Sequence, residues 1–389
     1  MVETVKNAWK IPELRKKLLF VIVAMIVFRF GHAIYVPYVD TKSLATQFAA
    51  YSSTILGYFN ILAGGGLSQA SVFALSVYPY INSSIIMQLL QVAIPSLERL
   101  ARDGGEEGKK KIASITRYVT IGLSLIMGYS YYVLLKTYGV LTRTDLWSGI
   151  VIVLTFVAGS SFVMWLGDQI STKGIGNGVS LILFIGIVSR GPSALMSMVS
   201  GVAAGTLAWW KAVIILVLFV AIIAFIVFIT NAERRIPVQY AKRVVGRKQY
   251  GGQSTFLPMK VNMAGVMPVI FASTIVTVPS TIAAFFTPTE GSFWAGFVKA
   301  FSQGSPLYII VYLLLIFGFA YFYATIQFNP IEIANNLKNN GGFIPGFRPG
   351  RPTSEFIAKV LNKVTLMGAI FLAIIAVLPL VMSNIKGLG

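Results

Sequence analysis

A chain of 389 residues with 56% hydrophobic and only 12% charged side chains carries more apolar surface than one soluble core can hide, because soluble domains are about 45–50% apolar and about 25% charged. The absence of cysteine excludes disulfides, thiolate metal sites and thiol catalysis, and the single histidine, His32, excludes any site built on two imidazoles. The formal net charge is +19, from 32 Lys and Arg against 13 Asp and Glu; in a membrane protein such an excess marks either topology and contact with anionic lipid or an anionic soluble partner such as RNA.

In chain order, residues 1–17 (MVETVKNAWKIPELRKK) are polar and amphipathic, and the apolar run after them lacks a small-residue cleavage site. They predict a cytoplasmic surface helix feeding the first span rather than a cleaved signal peptide. A span needs roughly 20 mostly apolar residues. Segments 18–36, 72–93, 115–135, 147–167, 178–198, 207–229, 264–286, 306–328 and 361–383 meet that need, nine in all. The expected class is an all-α polytopic membrane protein. With the N-terminus inside, the inner segments hold 24 of the 32 Lys and Arg and the outer ones seven, with Arg29 inside span one. The positive-inside rule therefore places the N-terminus in the cytoplasm and residue 389 outside.

Two regions depart from simple spans. Ile55 to Ala93 is nearly uncharged yet too long for one crossing, and it is interrupted by Gly64-Gly65-Gly66 and by Tyr78-Pro79-Tyr80. Glycines in series and a proline both oppose a continuous helix. The pattern predicts a short apolar helix at about 55–63, a glycine break and then a span. Such a segment either folds back into a cavity, where irregular backbone is tolerated, or lies as an interfacial loop. Span seven carries Pro268 and Pro279 after Gly265, and interrupted spans at matching places in two halves hint at duplication.

Two loops are longer than connection demands. Residues 230–262 set seven basic side chains against one acid, Glu233, and mix them with β-prone Ile236, Val238, Val244 and Val245; a projecting hairpin suits that pattern. Residues 329–360 repeat Pro-Gly around Arg348, and turn residues this dense predict a rigid knuckle presenting Arg348 and Arg351. Lipid contact would explain the charge, but the length and shape favour docking of an anionic partner.

Arg29 is costly in lipid and must face the interior or snorkel. Lying about 18 Å along the helix from Lys17, it can serve function directly or bond backbone carbonyls of broken helix two. His32 reads as an interfacial structural residue. No carboxylate falls at the centre of a span, Asp168 lying at the inner end of span four. Catalysis and classical proton coupling are therefore not expected, so the chain is read as no enzyme, with no cofactor.

Several long motifs now stand in order: Phe28-Arg29-Phe30-Gly31, GGGLSQASVFALSVYPYINSSIIMQLL (64–90), GEEGKKKIASITRY (105–118), WLGDQISTKGIGNGVSL (165–181), AERRIPVQYAKR (232–243), STFLPMKVNMAGVMPVIFAS (254–273) and FNPIEIANNLKNNGGFIPGFRPGR (328–351). Through them the chain resembles the SecY family, the central subunit of the bacterial Sec translocon, over essentially its whole length. The resemblance implies a SecY-type fold of ten spans in two inverted halves. Here these would be 18–200 (spans one to five, with a re-entrant plug at about 55–68) and 201–389 (spans six to nine); the tenth span and the basic tail after it are not among these residues.

The resemblance also implies the site. It places a pore ring on Val77, Ile81, Val179, Leu183 and Ile270, and a plug on Tyr58, Phe59, Ile61, Leu62, Gly64, Gly65 and Gly66. It puts lateral-gate contacts at Asn82, Gln88, Ser273 and Thr274, and motor and ribosome docking at Arg243, Arg247, Lys248, Arg348 and Arg351. The implied partners are SecE-like and SecG-like small membrane subunits, a SecA-like motor ATPase, the ribosome with its RNA, signal peptides and unfolded secretory chains, and anionic lipids. The implied place is the bacterial cytoplasmic membrane. A competing reading, a secondary transporter for a small solute, would use the broken helices as its binding site but has no need of two large basic loops.

Overall fold

Proline stands in the first turn of several helices and sets where they begin. The computed structural model describes residues 9–50, 60, 63–102, 104–206, 208–240, 243–245, 248–250, 254–276, 296–297, 300–301 and 305–384. The chain divides into two compact units, Met1–Ser197 and Met198–Gly389.

In the first unit, α1 (Pro12–His32) starts on a proline, with Ile11 extended at φ −83°, ψ 114°. Proline forces its predecessor out of the helical region and is itself suited to the first helical position. Residues 12–17 thus run without a break into the helix of the first span, while residues 1–8 of the expected surface helix lie outside the described residues. A short helix, α2 (Thr41–Ala50), follows. Asp40 caps it, accepting from the Lys42 N–H at 3.1 Å and the Ser43 hydroxyl at 2.6 Å.

The stretch 63–77 is a run of turns. Helix α3 (Tyr78–Ala93) begins with Pro79 in its first turn, so the expected span 72–93 is shortened by six residues at its start. Pro79 opens this helix instead of breaking it. After α4 (Pro95–Arg102) come two long rods, α5 (Gly105–Thr137) and α6 (Leu146–Lys173). Thr116, Thr120, Ser124 and Gly128 line the buried face of α5 four residues apart; small residues at that spacing allow close helix approach in a membrane. Ser83 of α3 donates to the Thr116 carbonyl at 2.7 Å. A Cβ on Gly159 of α6 would lie 2.0 Å from the Val72 oxygen, so only glycine fits under that turn. At one end of these rods Arg117 pairs with Asp168 at 2.8 Å. At the other, Leu44 and Phe48 of α2 pack with Leu135, Ile152 and Phe156. The unit continues with α7 (Gly178–Val188), capped by the Asn177 side chain, and with the start of α8 (Gly191–Ala203).

The second unit opens with α9 (Trp209–Asn231), whose one buried residue is Ala212. A helix apolar on every side and exposed on nearly all of them requires lipid as its solvent. The expected hairpin comes next as β1 (Glu233–Tyr240), β2 (Arg243–Val245), β3 (Lys248–Tyr250) and β4 (Ser254–Lys260). β1 runs antiparallel to β4, with Ile236 opposite Leu257. Helix α10 (Met267–Val276) begins with Pro268 at its second position, and the rest of expected span seven, with Pro279, lies outside the described residues. Then come α11 (Pro306–Gln327), α12 (Pro330–Asn339), the two-residue β5 (Gly342–Phe343) and α13 (Arg351–Asn384). Asn329 separates α11 from α12, its Oδ1 accepting from the Ile331 N–H at 3.1 Å ahead of a proline start. Tyr308, Tyr312 and Ile316 of α11 pack against Ala272 and Val276 of α10 and Phe371 and Leu372 of α13.

Among the described residues, six helical stretches are long and apolar enough to cross a membrane: Gly105–Thr137, Leu146–Lys173, Gly178–Ala203, Trp209–Asn231, Pro306–Asn339 and Arg351–Leu380. The expectation was nine. The other three segments are helical but fall short for identifiable reasons. α1 carries Arg15, Lys16, Lys17 and Arg29, α3 starts late, and only ten residues of α10 are described. The class, a mostly helical polytopic membrane protein, stands.

Candidate functional site

The turn region before α3 carries the glycine break. Gly64 and Gly65 have φ of +66° and +89°, left-handed values that a Cβ disfavours. The Gly65 N–H donates to the Asn60 carbonyl at 2.7 Å, and the Ser68 N–H to the Asn60 side chain at 3.0 Å. Tyr131 donates its hydroxyl to the Leu67 carbonyl from α5. Of the plug residues implied by resemblance, Tyr58, Phe59, Ile61 and Leu62 lie outside the described residues, as does most of the expected helix 55–63.

Two side chains of α1 reach this loop. Arg29 Nη1 lies 3.5 Å from the Gly64 carbonyl and 3.0 Å from Ser189 Oγ, just beyond α7. His32, buried, places Nε2 at 2.8 Å from the Ala63 carbonyl and Nδ1 at 3.0 Å from the Phe28 carbonyl. A neutral imidazole has one N–H, and in the Nε2–H tautomer it donates to Ala63. The structure shows the expected kind of backbone contact, to the glycine loop ahead of helix two, beside a shorter one to Ser189. Sequence reading missed Ser189 as its partner. A pair of small residues three apart, Gly186 on α7 and Ser189 at its C-cap, was the available signal.

None of the pore-ring candidates of the first unit is fully exposed. Val77 is fully buried at the start of α3 and Ile81, one turn on, is also buried; Val179 and Leu183 are half-buried on α7. In the second unit Ile270 is half-buried on α10. All five are aliphatic and supply no ligand atom beyond their backbone.

The gate candidates divide into two kinds. On α3, Asn82 Oδ1 and Gln88 Oε1 are buried without a hydrogen-bond partner among the described residues. On α10, Ser273 and Thr274 turn their hydroxyls back to the Ile270 carbonyl at 2.8 and 2.9 Å, which satisfies them inside their own helix.

The two basic loops, separate in the sequence, form one packed body. β5 joins β1, with Gln239 opposite Phe343 and Tyr240 opposite Gly342. Beneath the sheet Ile236, Val238, Met259, Leu337, Ile344, Ile357 and Leu361 make a single core. Arg348 is exposed in the turn between Gly346 (φ +87°) and Gly350 (φ +104°), and its carbonyl accepts the Thr353 hydroxyl at 2.7 Å. Arg351 opens α13 and pairs with Glu355 at 2.9 Å. Arg243 and Lys248 sit on β2 and β3; Arg247, between them, lies outside the described residues.

Apolar helices long enough to cross a membrane, with a compact basic platform in the second unit, define a polytopic membrane protein. The SecY family profile matches residues 71–389. The chain is 41% identical over 395 residues to the protein translocase subunit SecY of Streptomyces galbus, covering 97% of this chain and 89% of that one. It is 42% identical over 372 residues to the subunit of the same name from Escherichia coli K12, covering 94% and 84%. Two solved structures share the fold. One, described as a protein-conducting channel, has a TM-score of 0.66 at 16% identity over 99% of this chain and 91% of that one. The other, Sec61 in a canine ribosome–channel complex, has a TM-score of 0.61 at 14% identity over 99% and 96%. The chain belongs to the SecY family. It is a protein translocase subunit with the fold of a protein-conducting channel.

Proposed function

We propose that the chain forms the pore through which unfolded secretory polypeptides cross the bacterial cytoplasmic membrane, and that it releases hydrophobic segments sideways into lipid. Its N-terminus is cytoplasmic, and residues 18–200 and 201–389 act as the two halves of the channel. The observation that carries the reading is membership of the SecY family, and it is supported by the aliphatic character of Val77, Ile81, Val179, Leu183 and Ile270, none of which is exposed and which we assign to the waist. A narrow apolar ring gives ions nothing to bind and can dewet, while flexible side chains yield to a polypeptide of any sequence. Residues about 55–68 act as the plug. Asn82, Gln88, Ser273 and Thr274 supply gate contacts worth roughly 0.6–2 kcal/mol each, weak enough for a hydrophobic signal helix to part them. Arg243, Arg247, Lys248, Arg348 and Arg351 dock a SecA-like motor or the ribosome, whose RNA is the anion that a basic platform attracts. SecE-like and SecG-like subunits and anionic lipids complete the assembly. Energy comes from those partners, and no catalytic step is assigned to this chain.

The test is a cysteine placed at Ile81 in this naturally cysteine-free sequence and a secretory chain stalled in transit. A crosslink between the two supports the pore reading. Failure there, with ready crosslinking from a lipid-facing position on α9, overturns it.

A further inference from the structure

The loop ahead of α3 is held by two side chains of α1. Arg29 and His32 lie three residues apart and so share one face of α1, and they take adjacent carbonyls of the loop, Gly64 and Ala63. The same Arg29 nitrogen that approaches Gly64 also reaches Ser189 Oγ, whose proton goes to the Gly186 carbonyl at 2.8 Å. Gly64 in turn lies on the Gly186 backbone: a Cβ there would come within 3.1 Å of the Gly186 Cα. Helix α1, helix α7 and the loop therefore meet at one guanidinium. Its partners are a hydroxyl and a carbonyl, and no carboxylate pairs with it among the described residues. A charged side chain within an apolar helix is expensive in lipid, yet among the described residues this exposed guanidinium is bound by neutral acceptors alone. A cavity of about 190 Å³ beside it, lined by Arg29, His32, Tyr35, Gly64, Gly65 and Gln69, leaves room for water to take over these hydrogen bonds when the loop lifts.

We propose that Arg29, His32 and Ser189 are positioning residues that latch the Ala63–Gly66 loop onto α1 and α7, and that this latch keeps the resting channel sealed. The sealing part rests on the plug reading above. The hold itself does not.

The test uses the full chain in cells with Ala63→Cys as its sole cysteine, a position that is buried at 5% exposure. Labelling by a membrane-impermeant maleimide then reports lifting of the loop. Ser189→Ala should speed labelling about tenfold, the factor expected from losing one hydrogen bond to a charged group, and Arg29→Met, which also loses the Gly64 contact, should speed it at least as much. Their combination should exceed Arg29→Met by little, because Arg29→Met already removes the Ser189 contact. Ser189→Thr, which keeps the hydroxyl, should restore the slow rate, and His32→Phe, which keeps the ring, should still speed it. Unchanged rates in Arg29→Met and Ser189→Ala, or no rescue by Ser189→Thr, overturn the latch. Ion conductance of the reconstituted channel supplies the second reading, beside a deletion of about residues 57–67. Higher conductance in both the latch variants and the deletion supports the whole proposal. If the deletion leaks and the latch variants do not, the sealing role of the latch is overturned while the plug stands. If neither leaks although labelling is fast, the plug reading falls and the sealing role falls with it.

Discussion

Tyr240 and Gly342 face each other across the two-residue ladder that joins the basic hairpin to the knuckle after α12. The approach is close: a Cβ on Gly342 would sit 2.9 Å from the Tyr240 ring. The pair is where two loops far apart in the chain become one platform over the Ile236–Leu361 core.

Gly342→Val should therefore push Tyr240 off β1. Forcing atoms into a packed site costs typically about 1–3 kcal/mol, and the strain falls on the joint rather than on the membrane helices. Limited proteolysis of the purified protein should show faster cutting within 240–260 and 342–350 with the spans still protected. Gly342→Val combined with Tyr240→Ala should recover part of the protection. Equal cutting in the parent and in Gly342→Val would mean that the two loops are not mechanically joined.

How far the chain is legible without coordinates depends on whether the deciding contacts are local. Hydropathy locates α5, α6, α9 and α11, because their apolar length is a property of each segment alone. Pro79 and Pro268 look like interruptions in the sequence, yet they stand in the first turns of α3 and α10. A proline ends a helix on its N-terminal side and favours one on its C-terminal side, and composition does not say which effect dominates. The hairpin in 230–262 is legible from its β-prone alternation. Its union with residues 342–343 is not, since a two-residue strand has no periodicity of its own. Arg29 stands out as a cation inside a span. Ser189, some 160 positions away, becomes its partner only when α1 and α7 meet.

The start of α2 carries a pH dependence whose sign comes from Asp40. The Ser43 hydroxyl foremost, then the Lys42 and Ser43 backbone N–H groups, hold its carboxyl below the ordinary carboxylate value. A group whose pKa is lowered by folding stabilises the fold above its unfolded value, and that contribution fades as pH falls through the lowered one. Amide protection at Lys42 and Ser43 should be flat from pH 8 to about pH 5 and decline toward pH 3. Asp40→Asn, which keeps an acceptor without a titrating proton, should remove the decline. A decline that persists in Asp40→Asn would place its origin elsewhere.

Arg348 stands exposed between two left-handed glycines, with its backbone pinned by the Thr353 hydroxyl. Changing its side chain therefore alters the charge offered to a partner and leaves the turn intact. Arg351 differs, because its guanidinium is already engaged by Glu355. If the platform docks an acidic or nucleic-acid surface, Arg348→Glu should slow motor-driven secretion by at least about tenfold, the equivalent of about 1.4 kcal/mol of lost binding. The subunit should insert in the membrane at its normal level. Arg351→Gln should have the smaller effect, since part of its charge is already offset. Secretion measured in membrane vesicles, alongside the amount of subunit present, separates the cases. Undiminished secretion in Arg348→Glu at equal subunit level would remove this residue from the docking surface.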